Sequence, residues 1–363
     1  MSEEKKWMRM ALSLAKKGEG KVSPNPMVGA VIVKNGKVVG KGYHHYFGGP
    51  HAEIEAIKDA GEKAKGATLF VNLEPCCHFG KTPPCTEAII KAKIKKVVAA
   101  TLDPNPLNNG KGMQILKKAG VEAKVGVCEE EAKKINEVFF KFIREKIPYV
   151  IVKAASSLDG KIATFEGESK WITGEKSRLA GKKLRDKMDA ILVGINTVIK
   201  DDPELLPLSR KKRRFLRVIL DSTLRIPLEA RVLKNQISYP TLIFTTSGAN
   251  QEKIEKLKDK GVRIKIVEED KNGRVSLKKV LKELGEVDIA SLLVEGGGEV
   301  IGSFIREKLV DKLFLFLSSR IIGGKMAPTW VEGEGFGSLS ATPRVKVSRL
   351  RKIEEDIILE AYF

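Results

Sequence analysis

The chain has 363 residues, a 42% hydrophobic fraction and a formal net charge of +20 at pH 7. That length exceeds one ordinary core and suits two domains, the apolar content excludes a disordered polymer, and no apolar run approaches the roughly 20 residues that span a bilayer. The basic excess is spread over both halves, which suits anionic small substrates and gives only weak warrant for nucleic-acid binding.

The opening MSEEKKWMRMALSLAKK mixes both signs of charge. It reads as an amphipathic helix with Trp7, Met10, Ala11 and Leu14 on one face rather than as a signal peptide, so a cytoplasmic setting is expected. Residues 27–33 (MVGAVIV) and 38–42 flank Asn35-Gly36, a hairpin signal with a type I′ turn. A helix is predicted over 52–59, a strand over 67–72 and a helix over 85–93 behind Pro83-Pro84. A strand over 96–101, a helix over 112–119, a strand over 121–125 and a helix over 129–144 follow. A hairpin followed by helix–strand repeats predicts an α/β/α layered domain.

Ile147-Pro148 marks a boundary, because proline disfavours helix at the residue before it; the expected domains are 1–146 and 147–363. Beyond it, strands are predicted at 149–155, 190–194, 216–220, 241–244, 262–267 and 291–295, with helical stretches such as 177–187 and 251–260 between them. Residues 313–317 (LFLFL) and the pair 344–349 and 356–362 read as further strands. The LFLFL run suits either a core strand or an interface in a homo-oligomer.

Four cysteines occur, Cys76, Cys77, Cys85 and Cys128, and three of them fall within ten residues. Such clustering points to a metal or to catalysis rather than to disulfides. His51-Ala52-Glu53 and Pro84-Cys85 sit at predicted helix starts, and Glu74-Pro75-Cys76 follows a strand. This is the pattern of zinc-dependent nucleobase deaminases. Their chemistry needs an activated water, which three protein ligands and one open zinc position provide, and a carboxylate off the metal to move the proton. His51, Cys76 and Cys85 are therefore the expected Zn2+ ligands and Glu53 the proton shuttle. The positive end of a helix favours thiolate at Cys85.

Eight residues separate the two cysteines where the commoner motif has two, so Cys77 and His78 are rival ligands. Cys76 is preferred because it directly follows Glu74-Pro75. A purely structural zinc site would demand a fourth protein ligand and leave Glu53 without a task. In the second half GxGxxG is missing, but Glu295-Gly296-Gly297-Gly298 joins a predicted strand to an apparent helix. Glycines there let a phosphate approach backbone N–H groups; a tight turn without ligand reads equally well.

With LEPCCHFGKTPPC ending at Cys85, and with Asp103-Pro104-Asn105-Pro106, these residues resemble the bifunctional pyrimidine deaminase/reductase family of riboflavin biosynthesis. The long insertion between the cysteines belongs to that family's pattern. KAASSLDGK from Lys153 to Lys161, Trp171-Ile172-Thr173, Arg185, Asp201-Asp202-Pro203 and Glu295-Gly296-Gly297 follow in family order, so the likeness covers nearly the whole chain. It implies a cytidine-deaminase-like α/β/α domain followed by a dihydrofolate-reductase-like α/β domain that binds NADPH. It also implies two reactions, deamination of 2,5-diamino-6-(5-phosphoribosylamino)pyrimidin-4(3H)-one and reduction of the ribosyl group to ribityl.

By position, the resemblance implies that Asn25 lies near the pyrimidine and that Ser169, Arg185, Leu205 and Glu295 meet the ribosyl substrate. It implies that Ala155, Trp171, Thr197 and Asp201, with Gly297, Gly298, Glu299, Val300, Ile301, Gly302 and Ser303, meet the cofactor. Lys81 is expected at the substrate phosphate, with a solvated loop lysine as the alternative. The family usually reads DDPxLTxR, whereas this chain reads DDPELLPLSR, two residues longer. The phosphate-binding arginine is therefore expected at Arg210, with Arg213 and Arg214 as alternatives; a guanidinium meets phosphate bidentately. Lys153 or Asp159 is expected to assist proton delivery at the opened sugar. A nucleic-acid deaminase is the rival reading, but aromatic content is 6% and the second half shows no stacking platform. Phosphoribosylated pyrimidines, without nucleic acid or membrane, are the expected partners.

Overall fold

Apolar residues alternate between two faces along most strands of this chain, and the architecture follows from covering both faces. The computed structural model describes residues 2–80, 83–209 and 215–363. The expectations for Lys81 and Arg210, and for the alternatives Arg213 and Arg214, lie outside the described residues. The chain divides into two units, Met1–Lys146 and Ile147–Phe363. Among the described residues no helix is long and apolar enough to cross a membrane.

In the first unit α1 (Glu3–Ala15) precedes the antiparallel hairpin of β1 (Gly29–Lys34) and β2 (Lys37–Tyr43). The turn places Asn35 and Gly36 at φ 50° and 68°, both left-handed as type I′ requires. There follow α2 (Ala52–Ala60), β3 (Thr68–Val71), α3 (Cys85–Lys91), β4 (Lys96–Ala99), α4 (Lys111–Lys118) and β5 (Glu122–Val125). The strands form one sheet in the order β2-β1-β3-β4-β5. Ala30, Ile32, Leu69, Val71, Val97 and Ala99 pack with Ala52, Ala56 and Ala60 of α2. Val31, Phe70 and Val98 pack on the other side with Trp7, Met8, Ala11 and Leu12 of α1. Strands covered on both faces read as unbroken apolar runs, which is why β1 is GAVIV rather than an apolar–polar alternation.

Two expectations are corrected here. The buried stripe of α1 is Trp7, Met8, Ala11, Leu12 and Ala15, while Met10 is exposed; the helix is rotated so that positions i, i+1, i+4, i+5 and i+8 meet the sheet. The single helix over 129–144 is two, α5 (Glu129–Ile135) and α6 (Glu137–Glu145). They break at the buried Asn136, whose side chain accepts from the Met27 N–H at 2.8 Å and donates to the Met27 carbonyl at 2.9 Å. Those bonds satisfy backbone groups just ahead of β1, a reason for polarity mid-helix that periodicity does not reveal.

The second unit contains β6 (Tyr149–Ser156), α7 (Glu175–Arg185), β7 (Ala190–Gly194), α8 (Ile195–Asp201), β8 (Leu216–Leu220), β9 (Thr241–Thr245) and α9 (Gln251–Asp259). It continues with β10 (Arg263–Ile266), α10 (Leu277–Glu286), β11 (Ser291–Val294), α11 (Gly298–Arg306), β12 (Lys312–Leu317), β13 (Lys346–Ile353) and β14 (Asp356–Tyr362). The sheet runs β10-β9-β8-β7-β11-β6-β12-β14-β13. Neighbours are parallel from β10 to β12 and antiparallel from β12 to β13. Ala190, Leu192 and Val218 face one core, and Ile191, Val193 and Ile219 the other. The LFLFL run is a central strand: β12 is paired on both sides, with β6 and β14, and Leu313, Leu315 and Phe316 are buried.

Arg217 of β8 is almost fully buried. It donates to the carbonyls of Glu204 at 3.3 Å, Lys234 at 2.8 Å and Tyr239, tying the segment after α8 and the residues ahead of β9 to β8. A second fixed segment lies over α11, where a Cβ added at Gly302 would stand 1.8 Å from the Glu332 carbonyl oxygen. Overpacking of this kind costs about 1–3 kcal/mol or more. Gly302→Ala is therefore expected to lower the thermal midpoint of the second unit, measured by calorimetry; an unchanged midpoint would mean that residues 329–332 are not docked on α11.

Candidate functional site

Two short helices begin beside one another in the first unit. His51 is the N-cap of α2, with an extended backbone, and Cys85 is the first residue of α3 behind Pro84. Pro84 is the N-cap of that helix, and its ring fixes φ just ahead of the first turn. A Cβ at Gly42 would stand 2.5 Å from the Ala52 carbonyl, so glycine in β2 lets α2 seat close against the sheet. His51 Nδ1 then lies 3.2 Å from Cys85 Sγ and 3.5 Å from Cys76 Sγ, and the Cys85 N–H donates to Cys76 Sγ at 3.3 Å.

The three ligand atoms lie within 4.8 Å of one another and form the candidate metal cluster among the described residues. One imidazole and two thiols are a zinc donor set, and tetrahedral bonds of roughly 2.0–2.3 Å separate ligand atoms by about 3.5 Å. The residues therefore fit Zn2+. Hydrogen bonds from Cys85 and His51 pull Cys76 toward thiolate. The same contact with Cys76, with burial, pushes Cys85 up.

Glu53 is buried. Burial raises it to about 7, which suits a group that must both take and give a proton near neutrality. Cys77 does not join the cluster: its N–H donates to Asn108 Oδ1 at 3.1 Å and its thiol lies 3.9 Å from the Leu107 carbonyl.

Asn25 meets a residue that the sequence reading passed over. Its Nδ2 lies 3.2 Å from His44 Nε2, and His44 Nδ1 lies 2.9 Å from the Pro50 carbonyl. Burial pushes His44 down toward the neutral form. Its proton then belongs on Nδ1, facing the carbonyl, and Nε2 accepts from Asn25. The His44 ring stands edge-on to His51, with centroids 5.6 Å apart. His44 lies in the run GYHHYF, where nothing in spacing separates it from His45.

Glu74 is more than a marker for Cys76. Its buried carboxylate accepts backbone N–H groups from Asp103 at 3.0 Å, Gly110 at 2.8 Å and Met113 at 3.2 Å. Asp103 accepts in turn from the Asn105 N–H at 2.9 Å and from Asn108 Nδ2 at 3.3 Å. Burial lifts Asp103 to about 6. The DPNP segment is thus the brace behind the Cys76 loop.

In the second unit a cleft of about 1360 Å³ opens where the parallel strands end, the usual ligand edge of such sheets. Of the residues expected there, Lys153, Ala155, Ser169, Thr197, Asp201 and Glu295 line it, as do Gly297, Gly298, Glu299, Val300, Ile301 and Ser303. Gly297 caps α11, and a Cβ there would have as its nearest neighbour Thr197 Oγ1 at 3.9 Å, leaving the backbone approachable. The first N–H groups of a helix have no partner within it and attract anions.

Arg185 does not line the cleft but stands behind it. Its Nε and Nη2 donate to both Glu295 oxygens at 2.9 and 3.0 Å, and its Nη1 donates to the Leu206 carbonyl at 3.1 Å. Lys153 Nζ lies 3.8 Å from Glu295. Burial works to raise the Glu295 carboxyl, but Arg185 and Lys153 outweigh it and hold the group at about 2.

Four other expectations fall outside the cleft lining. Leu205 turns its side chain into the core, with φ 53°. Gly302 serves the contact with Glu332. Trp171 is exposed and stacks with Arg178, 4.4 Å from the ring centre. Asp159 accepts from Ser157 Oγ at 2.6 Å and from the N–H groups of Ile322 at 3.1 Å and Gly323 at 2.7 Å. These bonds hold it at about 2, which makes it a loop anchor. Ser222, Arg225 and Arg274 also line the cleft; they come from loops distant in sequence, and no spacing rule marks them.

Residues 148–359 match the family described as RibD C-terminal domain, and residues 1–101 match the cytidine and deoxycytidylate deaminase zinc-binding region. The riboflavin biosynthesis protein RibD of Aquifex aeolicus is 48% identical over 98% of this chain and 97% of its own length. That of Bacillus amyloliquefaciens is 45% identical over 99% and 96%. Among solved structures, Acinetobacter baumannii RibD gives a TM-score of 0.88 at 39% identity, covering 99% of this chain and 98% of that one. A Thermotoga maritima diaminohydroxyphosphoribosylaminopyrimidine deaminase/5-amino-6-(5-phosphoribosylamino)uracil reductase gives 0.86 at 39%, with the same coverage.

The Arg185–Glu295 pair yields a pH test. Glu295→Gln leaves Arg185 buried without its anion, an expected loss on the order of 3–5 kcal/mol at pH 7. Because folding lowers the Glu295 pKa, wild type keeps the stabilisation above the ordinary value of 4.5 and loses it as pH falls toward about 2. Denaturant midpoints of the second unit are expected to converge over that window; a gap independent of pH would contradict the ion pair.

Proposed function

The chain belongs to the RibD family of riboflavin-biosynthesis proteins, and on that premise we propose how its own residues divide the two reactions. It is a zinc-dependent aminopyrimidine deaminase in its first unit and an NADPH-dependent reductase in its second. The substrate of the first reaction is the phosphoribosylated diaminopyrimidine, and its deaminated product is the substrate of the second. The observation that carries the reading is a His–Cys–Cys donor set with a buried carboxyl against it, in a chain whose other unit opens a cleft onto a glycine-capped helix.

Bound at these sites, zinc activates a water for attack on the ring and NADPH supplies a hydride. Everything else falls to the protein. His51, Cys76 and Cys85 hold the metal, and Glu53 takes the water's proton and passes it to the departing amino nitrogen. Asn25, oriented by neutral His44, donates to an acceptor on the pyrimidine. Lys81 is proposed at the substrate phosphate.

In the second unit Gly297 and the first turn of α11 meet the cofactor's pyrophosphate, with Thr197 alongside. Ala155, Asp201, Val300, Ile301 and Ser303 complete that wall. With the sugar ring opened to its C1′=N imine, Lys153, held by Glu295, delivers a proton to the nitrogen as hydride reaches C1′, and the double bond becomes the C–N single bond of the ribityl chain. Ser169 meets the sugar, Arg185 positions Glu295, and Arg210 is proposed at the phosphate.

Glu53→Gln is expected to slow deamination by about 10²–10⁴-fold, while zinc content and NADPH affinity stay at wild-type values. Mass spectrometry of wild-type products should show an amino group exchanged for oxygen without cofactor, and two further hydrogens with NADPH. Undiminished deamination by the variant would remove Glu53 from the reaction.

A further inference from the structure

Cys76 and Cys77 are neighbouring thiols on a segment without regular structure. Rotation about the two soft dihedrals of a residue is enough to exchange their directions. The donor set takes Cys76, while the Cys77 thiol turns toward the Leu107 carbonyl, 3.9 Å away. Sulfur chemistry does not separate the two, so the choice lies in how the backbone around Cys76 is held.

One side chain grips that backbone on both sides. Asn108 is fully buried. Its Oδ1 accepts the Cys77 N–H at 3.1 Å, and its Nδ2 donates to the Pro75 carbonyl at 3.4 Å and to Asp103 Oδ2 at 3.3 Å. The carboxamide fits in one orientation only. Turned over, it sets an NH2 against the Cys77 N–H and an oxygen against a carbonyl and a carboxylate. Asn108 is itself held, since its N–H donates to the Asn105 carbonyl at 2.9 Å and its carbonyl accepts the Lys111 N–H at 2.8 Å. Gly112 lets α4 press on the same point: a Cβ there would stand 2.2 Å from the Pro75 carbonyl oxygen. Opposite, the Thr86 N–H of α3 donates to the Cys76 carbonyl at 3.2 Å.

Resting on the zinc reading, we infer that Asn108 is a positioning residue that makes Cys76, rather than Cys77, the third protein ligand of the metal. It bonds the peptide group before Cys76 and the one after it, which leaves the Cys76 sulfur facing His51 and Cys85. Without the carboxamide, the Cys77 N–H and the Pro75 carbonyl lose the partner that joins them, and the peptide between the two cysteines is free to turn. Zinc then meets two thiols that compete for one place, and its binding must order a loop that Asn108 orders beforehand. Loss of an outer-shell partner of this kind weakens metal binding about ten- to hundredfold.

The test uses the full chain with cobalt(II) in place of zinc, whose thiolate charge-transfer bands count the bound sulfurs, and chelator competition for zinc affinity. With Asn108 intact, Cys76→Ser is expected to remove one of the two thiolate contributions, and Cys77→Ser neither. Asn108→Leu keeps the side-chain shape and loses its polar atoms. Its zinc affinity is expected to fall about ten- to hundredfold. Adding Cys76→Ser to it is expected to leave two sulfurs on the metal, and adding Cys77→Ser as well to leave one. A side chain that merely fills the core would lower the thermal midpoint without bringing Cys77 into the spectrum. Asn108→Thr repeats the series should the leucine variant fail to fold. Unchanged zinc affinity, or a single sulfur in Asn108→Leu with Cys76→Ser, would overturn the role of Asn108 and leave the zinc site standing. A wild-type chain that binds no cobalt through two sulfurs would remove both.

Discussion

His51 and Cys85 begin two helices whose N-termini converge on the Cys76 sulfur, and the deaminase site depends on that convergence. A thiol beside a helix start gains backbone N–H donors and a positive dipole end, both of which stabilise thiolate. The sheet makes the convergence possible: Gly42 seats α2 closely, and Pro84 sets the entry to α3. The Cys76 loop carries no regular structure of its own. Glu74, Asp103 and Asn108 hold it through buried hydrogen bonds, so a polar network does there what packing does elsewhere.

The second unit solves a related problem with different parts. Its cleft lies at the ends of parallel strands, where several backbone turns open onto one space. Gly297 leaves that space approachable, while Gly302 is required by a close contact with Glu332. The residues around Glu295 are ordered by charge. Arg185 grips Glu295 from behind, Glu295 draws Lys153, and the Lys153 ammonium stands 5.6 Å from the Phe316 ring.

Much of this was legible in the sequence where chemistry dictates spacing. His51-Ala52-Glu53, Cys76 and Cys85 could be read because a three-ligand metal site with an adjacent carboxylate needs those types at helix starts. The turn at Glu295-Gly296-Gly297-Gly298 could be read because glycines mark a strand-to-helix junction. What stayed hidden was tertiary. His44 is set apart from His45 by burial and by its contacts with Asn25, Pro50 and His51. Asn136 breaks a helix because the chain ahead of β1 needs two hydrogen bonds there. Leu205 lies in the right segment, but its left-handed backbone sends the side chain into the core. Asp159 has the residue type of a proton donor, yet three hydrogen bonds keep it an anion.

X-ray absorption at the zinc edge, with metal stoichiometry of the purified full chain, addresses the centre most directly. One zinc per chain, with two sulfurs, one imidazole nitrogen and one further light atom, is expected, and the same spectrum is expected after Cys77→Ser. A third sulfur, a second imidazole, or a spectrum altered by Cys77→Ser would contradict the assignment of His51, Cys76 and Cys85 as the complete protein ligand set.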